Sequence, residues 1–147
     1  MRERTVSQAV LRRKIHSVEP HASAFDATCI MTKARCGSVL VIDADGVLRG
    51  IFTERDLMSK VVAKGLDPQK TLMTDVMTPH PRTIRPDARV SDAVLIMKEC
   101  GFRHLPIVSP ASGITGVFSL RDALPREILA ADQLIEYLDD EFANVPA

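Results

Sequence analysis

Apolar positions along the chain follow one pattern, and it occurs twice. Ala27, Ile30, Met31 and Ala34 recur at i, i+3, i+4 and i+7, as do Ala93, Ile96, Met97 and Cys100. That spacing puts all four side chains on one side of a helix, so each stretch predicts an α-helix with one buried face. Ser23 stands where the first helix needs a cap, with Asp26 three residues on, whereas Arg89 at the matching place caps poorly. The pattern then becomes a continuous apolar run, Val39-Leu40-Val41-Ile42 and later Leu105-Pro106-Ile107-Val108. Such runs predict strands covered on both faces. Pro106 has no N–H to give, which places its end of the strand where no ladder partner is required. The turns "DADG" and "SPASG" lead to strands ending at Phe52 and Phe118, and further helices begin at Glu54 and Leu120. Before each first helix a short extended segment runs to a proline, Ser17-Val18-Glu19-Pro20 and Thr83-Ile84-Arg85-Pro86. The predicted order is β-α-β-β-α, twice, a mixed α/β (α+β) fold.

The pattern repeats because the sequence does. Shifting the chain by 66 positions aligns residues 18–57 with 84–123 without a gap. Identical pairs include Pro20/Pro86, Ala22/Ala88, Asp26/Asp92, Met31/Met97, Gly50/Gly116, Phe52/Phe118, Arg55/Arg121 and Asp56/Asp122. Such gapless self-similarity marks a tandem duplication. "TVSQAVL" at residues 5–11 leads into the first copy much as "TLMTDVM" at 71–77 leads into the second, and Gly65 is placed to close the first copy's last helix in a left-handed cap. The boundaries expected from sequence are 5–66 and 67–125 for the copies, with a helical tail over 126–147. Pro125 removes a helical hydrogen bond, so the helix begun at Leu120 is short or kinked before "REILAADQLIEYLDDEF". The tail carries Ile128, Leu129, Leu134, Ile135, Leu138 and Phe142. Packing on the core and contact with a second chain both fit that stripe.

Composition narrows the function classes. With 46% hydrophobic and 26% charged residues the chain is globular, and its formal net charge is +0 with basic residues dispersed. That excludes the basic footprint of a nucleic-acid binder. The one basic cluster, Arg12-Arg13-Lys14, reads as a solvated helix face or end. No apolar run reaches the ~20 residues of a membrane span, and "MRERTVSQAV" has no signal-peptide core. Three cysteines (Cys29, Cys36, Cys100) without CxxC spacing argue against a disulfide framework and fit a reducing cytoplasm. Four dispersed histidines give no metal-ligand spacing, and no Walker loop, G-x-S-x-G or H-E-x-x-H is present, so neither a metal site nor an enzyme is expected.

Chemistry concentrates in a phrase written twice, "GIFTERDL" from Gly50 and "GVFSLRDA" from Gly116. Each keeps a hydroxyl, an arginine and an aspartate in order: Thr53, Arg55, Asp56 and Ser119, Arg121, Asp122. The hydroxyl and the acid three residues on are a capping box at a helix start. The same groups also suit an adenosine phosphate. An aspartate accepts from a ribose diol, a hydroxyl and a guanidinium reach phosphate oxygens, and a helix N-terminus offers N–H groups. Glycine ahead of each phrase leaves room for a ligand to approach the strand. Arg103-His104 in the second copy, where the first has Gly37-Ser38, adds phosphate donors, although His104 serves equally as a strand histidine with a local partner.

The order of elements, the duplication, the two G-h-h-[ST]-x-x-D phrases, "VMTP" at Val76 to Pro79 and "FRHLPIV" at Phe102 to Val108 resemble a tandem pair of cystathionine-β-synthase (CBS) domains, the Bateman module, over residues 5–125. The resemblance implies two repeats packed with pseudo-twofold symmetry and an adenine nucleotide as regulatory ligand in the cleft between them. It implies that Thr53 and Ser119 contact phosphate or ribose, that Asp56 and Asp122 take the ribose hydroxyls, and that backbone around Val18 and Ile84 meets the adenine. It further implies a non-catalytic module without a required cofactor, a homodimer, and output to a protein partner in trans. A ligand-free scaffold, its phrases serving only as helix caps, is the alternative.

Overall fold

Thr5 opens the first helix, α1 (Val6–Val10), with a reciprocal box: its side chain accepts from the Gln8 N–H while the Gln8 side chain accepts from the Thr5 N–H. The computed structural model describes residues 2–11 and 13–143. It divides into two units, one of Lys14–Arg82 and the other of Thr83 onward together with the lead-in up to Arg13. Each lead-in thus packs with the copy that it does not precede. Their apolar residues decide this: Val6 and Val10 of α1 are buried among Ile84, Val90, Val94 and Phe118.

In the unit of Lys14–Arg82, β1 (Ser17–Val18) precedes α2 (Ala24–Ala34), which Ser23 caps as expected, accepting from the Asp26 N–H at 3.0 Å. Strands β2 (Ser38–Ile42) and β3 (Leu48–Thr53) pair antiparallel, with β1 parallel on the far side of β2. Helix α3 (Glu54–Asp56) runs directly into a π-helical stretch, Leu57–Val62, and the segment closes near Gly65 at φ 70°. Helix α4 (Met73–Val76) and β4 (Thr78–Pro79) follow, and β4 completes a four-stranded sheet in the order β1-β2-β3-β4. Val39, Leu40 and Val41 are all fully buried, the two-faced covering their run predicts. The core gathers Ala27 and Met31 of α2, Val39 and Val41 of β2, Phe52 of β3, and Met73 and Val76 of α4.

In the other unit α5 (Val90–Cys100) packs on the hairpin of β5 (His104–Ser109) and β6 (Gly113–Ser119). Arg89 makes no side-chain cap bond, as expected. The buried stripe of α5 is Val90, Ala93, Val94 and Met97, with Ile96 at its margin. Cys100, expected on that stripe, is exposed, because the helical repeat starting at Val90 reaches its fourth place at Met97. Pro106 is also not at an unpaired end: it sits inside β5, buried, opposite Val117. Its missing N–H falls on the other edge. At the matching place in the first copy, Leu40 N–H donates to His16 at 3.0 Å and β1 forms; here only an isolated Ile84–Ile107 bridge remains. After the 3-10 turn Leu120–Asp122, Pro125 begins α6 (Pro125–Ala143), so the proline interrupts the helix as expected and starts the next. Ala131 of α6 is buried and Ile128 packs on the same core, while Leu129, Leu134 and Phe142 are exposed. The fold is mixed α+β.

Candidate nucleotide site

The two phrases occupy the same structural place in their units. β3 ends extended at Thr53 (φ −117°, ψ 165°) and β6 at Ser119 (φ −107°, ψ 151°), where each chain turns into a helical segment. Across the ladder Thr53 faces Ser38 and Ser119 faces His104. The turn is pinned identically: Glu54 N–H donates to the Gly37 carbonyl and Leu120 N–H to the Arg103 carbonyl, both at 3.0 Å.

Within the first phrase Asp56 folds back on the cap. Its Oδ2 accepts from the Thr53 N–H at 3.0 Å and lies 3.1 Å from Thr53 Oγ1, while Thr53 Oγ1 accepts from the Asp56 N–H at 3.2 Å. In the second phrase Asp122 Oδ2 accepts from the Ser119 N–H at 2.8 Å, and Ser119 Oγ accepts from the Arg121 N–H at a longer 3.4 Å. The capping-box reading therefore holds in both copies. The Glu54, Asp56, Leu120 and Arg121 N–H groups are thus engaged within the chain, by Gly37, Thr53, Arg103 and Ser119.

Each aspartate has a cation on its remaining oxygen. Lys60 Nζ lies 3.2 Å from Asp56 Oδ1 and donates to Thr78 Oγ1 at 3.3 Å. Arg13 Nη2 lies 2.7 Å from Asp122 Oδ1. Arg13 stays exposed, its side chain 55% accessible, as the solvated reading of its cluster expects, and it adds the ion pair with Asp122; Arg12 of that cluster lies outside the described residues. Sequence reasoning missed both cations. Lys60 carried a signal, since it stands four residues after Asp56 on the same helical stretch. Arg13 carried none, because it comes from the far end of the chain.

The side chains of Asp56 and Asp122 are only 13% and 11% exposed, whereas Arg55, Arg121 and Arg103 are exposed and His104 is half-buried. Val18 and Ile84 send their side chains into the two cores. Ile84 N–H donates to the Pro106 carbonyl and the Ile84 carbonyl accepts from the Val108 N–H, both at 2.9 Å.

The glycines differ between copies. A Cβ on Gly50 would lie 2.6 Å from Met77 Sδ and 2.8 Å from the Thr78 carbonyl oxygen, so close approach of β4 explains that glycine. The expected room for a ligand there is filled by the chain itself. A Cβ on Gly116 would meet only Ile107 Cδ1, at 3.6 Å.

Beside the second phrase, Arg4 donates to the Asp122 carbonyl at 3.0 Å and to both oxygens of Glu127, at 2.6 and 3.1 Å. Glu127 is 8% exposed and also accepts from the Leu124 N–H at 2.7 Å, capping α6. Burial pushes its carboxyl upward. The bonds from Arg4 and Leu124 and the charges of Arg4 and Arg126 outweigh that and hold it below the ordinary glutamate value. The bond to Glu127 raises Arg4 in turn. Among the described residues no group of three histidine, cysteine or acidic side chains gathers as a metal site, and no helix is long and apolar enough to cross a membrane.

A family model described as CBS domain matches residues 6–63 and 73–126. A CBS domain-containing protein of Arabidopsis thaliana, CBSCBSPB2, is 34% identical over 134 residues, 89% of this chain and 25% of its own. The chain thus spans about a quarter of that relative's length. Among solved structures, a signal-transduction protein with CBS domains from Burkholderia ambifaria superposes with a TM-score of 0.76 at 30% identity, covering 81% of this chain and 90% of its own. The Pyrobaculum aerophilum CBS domain protein PAE2072, solved in complex with AMP, does so with a TM-score of 0.76 at 25% identity, covering 86% and 95%.

Proposed function

The chain belongs to the CBS-domain family, and on that premise we propose that it is a regulatory module whose two T/S-x-x-D phrases bind an adenosine phosphate. One observation carries the reading: each unit holds a nearly buried aspartate fixed by its own cap amide and by a cation, and Asp122 keeps acceptor capacity on both oxygens while Asp56, with both Thr53 donors on Oδ2, keeps it on Oδ1. A carboxylate has about four lone-pair positions. In Asp122 the Ser119 N–H and Arg13 take one on each oxygen, leaving one on each for the two hydroxyls of a ribose.

In this reading Asp56 and Asp122 take the ribose, and Thr53, Ser119, Arg55 and Arg121 face the phosphate. Backbone beside Val18 and Ile84 meets the adenine, and Arg103 and His104 add phosphate contacts in the second copy. The AMP held by the Pyrobaculum relative supports the ligand class. The module catalyses nothing, needs no cofactor, resides in the cytoplasm as a homodimer, and passes its state to a protein partner in trans. Binding favours one arrangement of a two-state element, which is all that such signalling requires.

Thermal unfolding with AMP, ADP, ATP, NAD and S-adenosylmethionine tests the proposal. A ligand at about 100 times its dissociation constant adds roughly 2.7 kcal/mol to stability. A rise in Tm confined to adenosine phosphates is the expected result. No rise with any of them, in protein stripped of nucleotide, leaves the capping boxes as a scaffold's helix starts.

A further inference from the structure

The two aspartates are held by cations of different origin. Lys60 belongs to the helical stretch that follows its own phrase, so the first site is self-contained. Arg13 belongs to the lead-in, which is docked on the second copy by several independent bonds. Val6 and Val10 are buried in that core. Val6 N–H donates to Ala88 at 2.8 Å, Ser7 N–H to Pro86 at 3.0 Å, and Arg4 accepts from the Val90 N–H at 3.0 Å. Arg4 also spans the Asp122 carbonyl and the Glu127 carboxylate. Arg4 and Arg13 thus grip Asp122 from the backbone and the side-chain side.

We infer that the second nucleotide site is completed by the N-terminal lead-in, with Arg13 as the positioning residue that holds Asp122 for the ribose. This rests on the nucleotide reading of the phrases. Arg13 stays in place when ligand binds, because the Asp122 oxygens retain a free lone-pair position each. Affinity at the second site is then conditional on lead-in docking, and by linkage ligand there tightens the lead-in. The first site has no such dependence. A partner that pulls residues 2–13 away would weaken one site and spare the other, giving the module an input besides nucleotide.

Calorimetric titration with AMP tests this in two backgrounds. Asp56→Asn leaves only the second phrase intact, and Asp122→Asn only the first. Adding Arg13→Ala to D56N is expected to weaken AMP about two- to fivefold, the range of an ion pair whose arginine is more than half exposed. Arg13→Lys should recover most of that affinity. Arg13→Ala in the D122N background should change nothing, which a general loss of folding would not reproduce. Amide exchange over residues 5–10 should slow with AMP in D56N and not in D122N. Equal AMP affinity in D56N with and without Arg13→Ala overturns the inference. So does binding that survives in D122N but vanishes in D56N, while leaving the first phrase a nucleotide site. Absence of AMP binding in the unaltered protein overturns the proposed function and this inference together.

Discussion

Gly50 and Gly116 are equivalent by sequence, and the structure predicts opposite consequences for the same change. A methyl at Gly50 would sit 2.6 Å from Met77 Sδ, 2.9 Å from Met77 Cγ and 2.8 Å from the Thr78 carbonyl oxygen. Met77 can swing aside, but the Thr78 carbonyl is fixed by β4, whose pairing sets Gly50 opposite Pro79 and Ile51 opposite Thr78. Gly50→Ala therefore has to push β4 off the sheet edge. Overpacking of this kind costs about 1–3 kcal/mol. For a chain of this length that lowers Tm by roughly 2–12 °C. Gly116→Ala meets only Ile107 Cδ1 at an ordinary 3.6 Å. It should be neutral or stabilising, by about 0.4–1 kcal/mol, because alanine restricts the unfolded chain. Thermal and urea unfolding followed by circular dichroism, with AMP titrated into both variants, reads the difference. Equal losses in the two variants would refute the reasoning. A Gly50→Ala protein of normal stability that no longer binds AMP would show that the ligand, not β4, requires that glycine.

Other expected outcomes follow from single contacts. Phe52 and Phe118 are each fully buried at the centre of a core, so alanine at either should cost about 3–5 kcal/mol in denaturant unfolding. Thr53→Ala removes a cap oxygen 3.2 Å from its N–H and should cost about 1 kcal/mol; Ser119→Ala, with its 3.4 Å bond, should cost less. The lowered pKa of Glu127 means its bonds stabilise the fold fully above the ordinary value of 4.5 and are lost as pH falls through the lower folded value. Glu127→Gln should therefore cost about 1.5–3 kcal/mol at neutral pH and flatten the acid side of the stability–pH profile, measured by urea unfolding.

What was legible in the sequence was local. The helices announce themselves through Ala27, Ile30, Met31 and their counterparts, the Ser23 box and the uncapped Arg89 behave as their side-chain chemistry requires, and Gly65 takes the positive φ assigned to it. The capping geometry of both phrases was readable for the same reason, since it spans three residues. Contacts between distant segments were not. Nothing around Arg13 marks it as the partner of Asp122, and nothing around Arg4 marks it for Glu127, because burial of Val6 and Val10 brings the lead-in there. A missing N–H is costly in a ladder, which points Pro106 to a strand end. The structure tolerates it mid-strand, since that N–H belongs to the edge facing Ile84 rather than to the β5–β6 ladder. Gly50 misled in a similar way: a residue without a side chain admits anything, and here it admits β4.

The central claim is that Asp56 and Asp122 hold the ribose of an adenosine phosphate. Calorimetric titration of nucleotide-free protein with AMP, run beside the Asp56→Ala/Asp122→Ala double variant, tests it most directly. The account predicts saturable binding to the unaltered protein, and none to a double variant whose circular dichroism shows it folded. AMP binding of equal affinity in the two proteins would contradict it, since the ligand would then sit where neither aspartate is needed.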